Sequence, residues 1–254
     1  MNPSELKAFM GWFKWVLMGT LIAVVIALFV ITYFSHKKKN INPVKFMTVT
    51  GIFGAIAIIL YVVVPDFGLG FTPFWLKVHL DEIPMFLAGF MYGPLAAVMV
   101  NLMKFLVKLP LSNTACVGEI GDFIFSLVFV LPAVIIYQRR RKFSSVLIGL
   151  GISTVAQIVF AMIMNVYFMI PFFSYFYNIP LAALEGACSA IIPAIKGENW
   201  VWLYASFMVA PMNAIKDAIV ILAVLALYKR LHILIERIAS KIETNKSKDA
   251  AESV

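Results

Sequence analysis

Charge is scarce in this chain. Asp, Glu, Lys and Arg make up 13% of its 254 residues, against about 25% in soluble domains. Two cysteines, Cys116 and Cys188, are too few for a disulfide framework and lack metal-ligand spacing. Only three histidines occur: His36 and His232 flank basic blocks, and His79 stands alone beside Asp81 and Glu82. That trio is crowded at a helix start, where capping and dipole roles outweigh metal ligation. No H-E-x-x-H, G-x-S-x-G or phosphate-binding glycine–lysine loop is present, and Ser189 and Ser206 have no evident base. Metalloprotease, serine hydrolase and ATPase chemistry are therefore excluded for this chain. No internal repeat is visible, which argues against an inverted-repeat secondary transporter.

What is abundant is apolar sequence. Hydrophobic residues reach 62% and mean hydropathy is +0.94, which predicts an all-α integral membrane protein rather than one or two soluble domains. The net charge of +8 could suggest nucleic acid. The basic residues instead form short blocks beside apolar runs, the pattern that orients membrane helices. Val16–Phe34 is longer than a signal-peptide core and lacks a small-residue cleavage site before Lys37, so it is expected to be an uncleaved span. Further spans are expected at Phe46–Val64, Gly118–Ile136, Val146–Ile170 and Trp200–Tyr228. Ile83–Val107 could cross once or twice. Two crossings, turning at Gly93-Pro94, put the Lys37–Lys45 block, Arg139–Lys142 and Lys229-Arg230 on one side, so two short helices are predicted. The count is then seven spans, N-terminus outside and C-terminus cytoplasmic. Leu181–Ile195 is too short for a confident span and reads as an outer lid or interfacial helix. Residues 1–40 form an N-terminal unit, 41–231 the main membrane domain, and 232–254 a charged cytoplasmic tail.

Within this apolar background the stretch Pro211-Met212-Asn213-Ala214-Ile215-Lys216-Asp217 is out of place. Asn213 and Lys216 are three residues apart and share a helix face. A lysine within a span costs about 3 kcal/mol on insertion scales, so it faces a cavity, a partner or a ligand. Such a pair could simply knit two helices together, but a buried binding site is the stronger reading. Asn165 falls in the outer half of its own span, at a similar depth. Amides offer donor and acceptor together and an ammonium offers donors, a set that complements imide-like N–H and C=O groups on a flat ligand. Trp200, Trp202, Tyr204, Phe207 and Phe172 could supply an aromatic wall. Gly51 and Ala55, four apart, let another helix approach closely, either within the bundle or from another subunit.

Several stretches together resemble a known family: Asp81-Glu82-Ile83-Pro84 with Gly93-Pro94-Leu95-Ala96, Gly118-Glu119-Ile120-Gly121-Asp122-Phe123, Phe129-Val130-Leu131-Pro132-Ala133, Met164-Asn165-Val166-Tyr167, Pro193-Ala194-Ile195-Lys196 and Ala210–Lys216. The resemblance, over about Lys45 to Leu231, is to the substrate-binding (S) components of energy-coupling-factor (ECF) vitamin transporters, riboflavin-specific members above all. It implies a six-helix bundle, here with one extra N-terminal transmembrane helix, in a bacterial cell membrane. It further implies riboflavin as transported ligand rather than cofactor, no catalytic residues or metal, and partnership with a transmembrane scaffold subunit and two ATPase subunits. Asn165, Asn213 and Lys216 match flavin-contacting positions, and the Gly51/Ala55 face matches the scaffold contact. Another flavin or vitamin, or a non-transport membrane scaffold, are the competing readings.

Overall fold

The computed structural model describes residues 43–62, 70–73, 76, 78–111 and 117–230. The expected first span, the Lys37–Lys39 block, Cys116, the tail after residue 230 and the outer units of the domain division lie outside the described residues.

Every regular element among the described residues is helical. Helix α1 is Pro43–Val62, α2 is Glu82–Tyr92, α3 is Pro94–Lys108 and α4 is Val117–Arg140. Helix α5 runs through Phe143–Phe176, the short α6 is Leu181–Ile191, and α7 is Trp200–Arg230. Four of these, α4, α5, α7 and the segment Pro94–Leu111, are long and apolar enough to cross a membrane. The all-α membrane fold is thus the observed one.

The ambiguous stretch Ile83–Val107 is two helices. Gly93 takes φ +97°, a left-handed value that glycine adopts without penalty, and Pro94 opens α3 where its missing N–H is harmless. Gln138 of α4 completes the turn by donating from Nε2 to the carbonyls of Gly89 and Phe90, at the end of α2, where helical carbonyls run out of intrahelical donors. Eleven residues make α2 only about 16 Å long, roughly half a hydrocarbon core. Its N-terminus therefore starts inside the bundle, fed by a non-helical approach in which Leu76 and Val78 are buried. Irregular backbone at such depth is tolerated because protein surrounds it.

Helices α5 and α7 each contain one turn of wider π geometry, at Asn165–Met169 and Ala205–Val209. The cause is legible: Pro171 and Pro211 follow immediately. A proline ring collides with the carbonyl four residues back, and the π turn moves that carbonyl aside. The closing bonds run from Ile170 N–H to Asn165 O and from Ala210 N–H to Ala205 O. This explains why α5 continues to Phe176 although its apolar run and Pro171 suggested a stop near Ile170.

At the basic end, near Arg139–Lys142, the bundle is solid. Phe86, Phe129 and Val134 are fully buried, and Phe90, Tyr137 and Tyr228 form a cluster of edge-on rings. Helices α4 and α5 touch at Gly149, where an added Cβ would lie 2.9 Å from Ala133 Cα and 3.1 Å from its carbonyl oxygen. One turn on, Ser153 Oγ accepts the Ala133 N–H at 2.9 Å, beside Pro132, which sits inside α4. Gly149→Ala is expected to destabilise the protein by about 1–3 kcal/mol, since backbone rather than a flexible side chain must yield. A lowered midpoint of thermal unfolding in detergent is the readout; an unchanged midpoint means the helices can part freely.

Of the small residues on α1, Gly54 packs inward against Met103, 2.7 Å from an added Cβ, and Ala57 is fully buried. Gly51 faces open space and Ala55 is exposed, beside exposed Ile52 and Ile59. Gly54 and Ala57 thus serve packing within the bundle, while Gly51 and Ala55 leave room beside α1.

Candidate ligand cavity

The mouth end, opposite the aromatic plug, holds a cavity of about 370 Å³, within the usual range for small-molecule sites of ~300–1,000 Å³. Asn165, Asn213 and Lys216 all line it, together with Gln157. Two helices, α5 and α7, thus bring the three sequence-predicted residues to one place. Each is only 6% exposed.

The polar groups are held in orientation with capacity to spare. Asn213 donates from Nδ2 to Val209 O at 2.8 Å and accepts at Oδ1 from Gln157 Nε2 at 2.9 Å. Asn165 donates to Ala161 O at 2.9 Å and accepts from the Tyr204 hydroxyl at 3.1 Å. An amide carries two N–H donors and two acceptor lone pairs, so each asparagine keeps one of either kind for a ligand. Gln157 Oε1 is buried and, among the described residues, has no hydrogen-bond partner. A buried acceptor in that condition costs about 1–3 kcal/mol, which a ligand N–H would recover.

Lys216 donates to Glu82 Oε1 at 2.7 Å, with Asp217 Oδ1 at 3.7 Å and the Phe129 ring 5.3 Å from the ammonium. A second buried lysine, Lys104 of α3, bonds to Asp81, to Asp122 at 2.9 Å and to Ser126 Oγ at 2.9 Å. Asp81 and Glu82, expected as helix caps, are instead ion-pair partners: Asp81 makes no side-chain capping bond and the two carboxylates are 0% and 1% exposed. The short α2 starts at mid-bundle, and its first residues reach one lysine on either side. Asp122 of α4 likewise answers Lys104 and lines the cavity with Glu119.

The aromatic wall differs from expectation. Trp202 and Phe207 are 43% and 51% exposed on the outside of the bundle, and Trp200, Tyr204 and Phe172 pack in the interior without lining the cavity. Its aromatic lining comes from Tyr61, Phe125, Phe173 and Tyr177. For Trp202 and Phe172, which a regular 3.6-residue projection puts on the faces of Asn213 and Asn165, the π turns are the reason: each inserts a residue and rotates the helix beyond it by about 100°. The lid reading of the outer segment has a counterpart in α6, whose buried Leu184 lines the cavity while Cys188 packs beneath.

Gln157, Glu82, Tyr204 and the Lys104 group were not singled out from sequence as a polar network. Gln157 could have been, as an amide in mid-span. Glu82 could not, because its lysine is 134 positions away.

The chain matches, over residues 45–228, a family model described as ECF transporter, substrate-specific component. It is 28% identical over 203 residues to "Riboflavin transporter RibU" of Staphylococcus aureus (strain TCH60), covering 80% of this chain and 98% of that protein. It is 23% identical over 162 residues to "Riboflavin transporter FmnP" of Bacillus subtilis (strain 168), covering 62% and 84%. Among solved structures, an S component of a bacterial ECF transporter superposes with a TM-score of 0.56 at 26% identity, over 76% of this chain and 99% of the other.

Proposed function

The chain belongs to the family of substrate-specific components of ECF transporters, and on that premise we propose that it captures riboflavin from outside the cell for delivery inward. The observation that supports this most is the convergence of Asn165, Asn213, Lys216 and Gln157 on one cavity. Each amide keeps a donor and an acceptor, Lys216 keeps donors, and Gln157 Oε1 awaits an N–H. The pyrimidine edge of a flavin carries an imide N–H between two carbonyls, which is the complementary pattern. The apolar flank of Phe125, Ala161, Met169 and Met212 suits a fused ring system. Names borne by the two relatives point the same way.

In this reading the chain is a binding subunit and not an ATPase. ATP hydrolysis falls to two partner subunits, coupled through a transmembrane scaffold subunit that docks on the Gly51/Ala55 face of α1. The basic end is cytoplasmic by the positive-inside rule, and the span expected at Val16–Phe34 is an addition to the six-helix domain.

Purified protein is expected to quench riboflavin fluorescence at micromolar ligand, and a competition series with other flavins and vitamins reads out selectivity. No quenching by the folded wild type overturns the assignment. Gly51→Leu is expected to leave quenching intact while abolishing co-purification with the scaffold subunit. Its open side in the isolated chain means that only an incoming helix would meet the new side chain. Normal assembly of that variant removes the face from the interface.

A further inference from the structure

The basic end of the bundle has a chemistry that the cavity does not use. Arg139 and Arg140 end α4, Arg141 and Lys142 make the exposed turn into α5, and Lys229 and Arg230 close α7. The two groups are neighbours: the Phe143 ring stacks on Tyr228 with centroids 6.4 Å apart, and the Tyr228 and Tyr137 hydroxyls are 3.0 Å apart. Six cations therefore share one corner. Among the described residues no acid balances them. Asp217 is twelve residues before Lys229 on α7, about 18 Å along the axis, and Asp122 is farther still from Arg139 along α4.

Two features go beyond what membrane orientation demands. Arg141 has φ +30°, the left-handed position after a helix end that glycine usually occupies, and its N–H closes the helix onto Tyr137 O at 2.7 Å. Orientation needs positive charge somewhere in the loop; it does not need a strained arginine where glycine would be relaxed. The Arg141 guanidinium reaches Gln138 Oε1 at 3.3 Å, over the turn that joins α2 and α3. Directly beyond this turn an exposed apolar stripe descends α5 through Phe143, Leu147, Ile148, Ile152 and Val155. Cations above and a continuous hydrocarbon face below have the shape of a phospholipid, whereas an acidic protein surface would match the cations alone.

We propose that the turn Arg139–Lys142, with Lys229 and Arg230, is a binding site for the headgroup of an anionic phospholipid whose acyl chains lie along α5. Such a lipid holds this corner of the bundle at the membrane surface, independently of what the cavity carries. Opposite charges at a membrane surface are worth about a fivefold change in affinity per basic residue, and added salt weakens them.

The test uses full-length protein in neutral detergent, with phosphatidylglycerol or phosphatidylcholine of matched chains, read by native mass spectrometry and by thermal unfolding. The wild type is expected to retain phosphatidylglycerol in preference to phosphatidylcholine and to unfold at higher temperature only with the former. Arg141→Gly is expected to lower phosphatidylglycerol retention about fivefold while leaving the lipid-free unfolding temperature unchanged or higher, because the backbone is relaxed. Arg140→Gln combined with Lys142→Gln should lower retention further, and Lys196→Gln, in the outer segment, should not. Equal responses to the two lipids overturn the proposal, as does undiminished preference in the turn variants. Equal stabilisation by inorganic phosphate alone overturns the lipid assignment. So does a turn variant that loses its transporter partners when the wild type shows no lipid preference.

Discussion

Lys216→Met is expected to weaken riboflavin binding about tenfold to a hundredfold, the range for losing a hydrogen bond to a charged group. It is also expected to destabilise the ligand-free protein by about 3–5 kcal/mol, the usual cost of removing one partner from a buried ion pair. Methionine fills nearly the same volume, so packing changes little. What changes is that Glu82, 1% exposed, loses its 2.7 Å partner and Asp217 its nearest cation. The two effects can be separated. Adding Glu82→Gln removes the stranded charge and should recover most of the unfolding temperature without recovering affinity. Titration of flavin fluorescence and thermal unfolding on the same samples decide it. Wild-type affinity in the single variant removes Lys216 from the binding site.

The second large effect is expected at Lys104, and it is of the opposite kind. Lys104 is 1% exposed, is not among the residues lining the cavity, and is shared by Asp81 and Asp122 with a further bond to Ser126. Lys104→Met leaves two carboxylates without their ammonium, and a loss of about 3–5 kcal/mol is expected. Flavin affinity of the fraction that remains folded should fall far less than in Lys216→Met. Combining Lys104→Met with Asp81→Asn should recover part of the stability. An unfolding temperature equal to that of wild type would show that Lys104 carries no structural burden. The two lysines thus differ in place: Lys216 lines the cavity, whereas Lys104 ties the start of α2 to α3 and α4.

The polar lining of the candidate cavity was partly legible from sequence because the membrane makes polar side chains conspicuous. Asn165, Asn213 and Lys216 stand out against an apolar background, and the spacing of the last two fixes them to one face. The turn at Gly93-Pro94 was legible for a similar reason, since only a double crossing keeps the basic blocks together. Gln157 was legible in principle, as an amide in mid-span, and its partner Asn213 was already marked. The aromatic lining was not legible. Pro171 and Pro211 announce a disturbance in each helix, but a kink, a stop and a π turn are all compatible with a proline. Each of those outcomes aims the neighbouring rings differently.

By itself, the sequence determined that the chain is an all-helical membrane protein and where most of its described helices run, because hydropathy and the cost of intramembrane charge act locally. It also determined, through its motifs, the family to which the chain belongs. The tertiary structure alone decided which acid answers which lysine. Asp81 and Glu82 are adjacent in the chain, yet Asp81 pairs with Lys104, 23 residues on, and Glu82 with Lys216, 134 residues on. That division comes from the shortness of α2, whose first turn begins at mid-bundle between the two lysines, and helix depth is set by packing against neighbours rather than by local residue pattern.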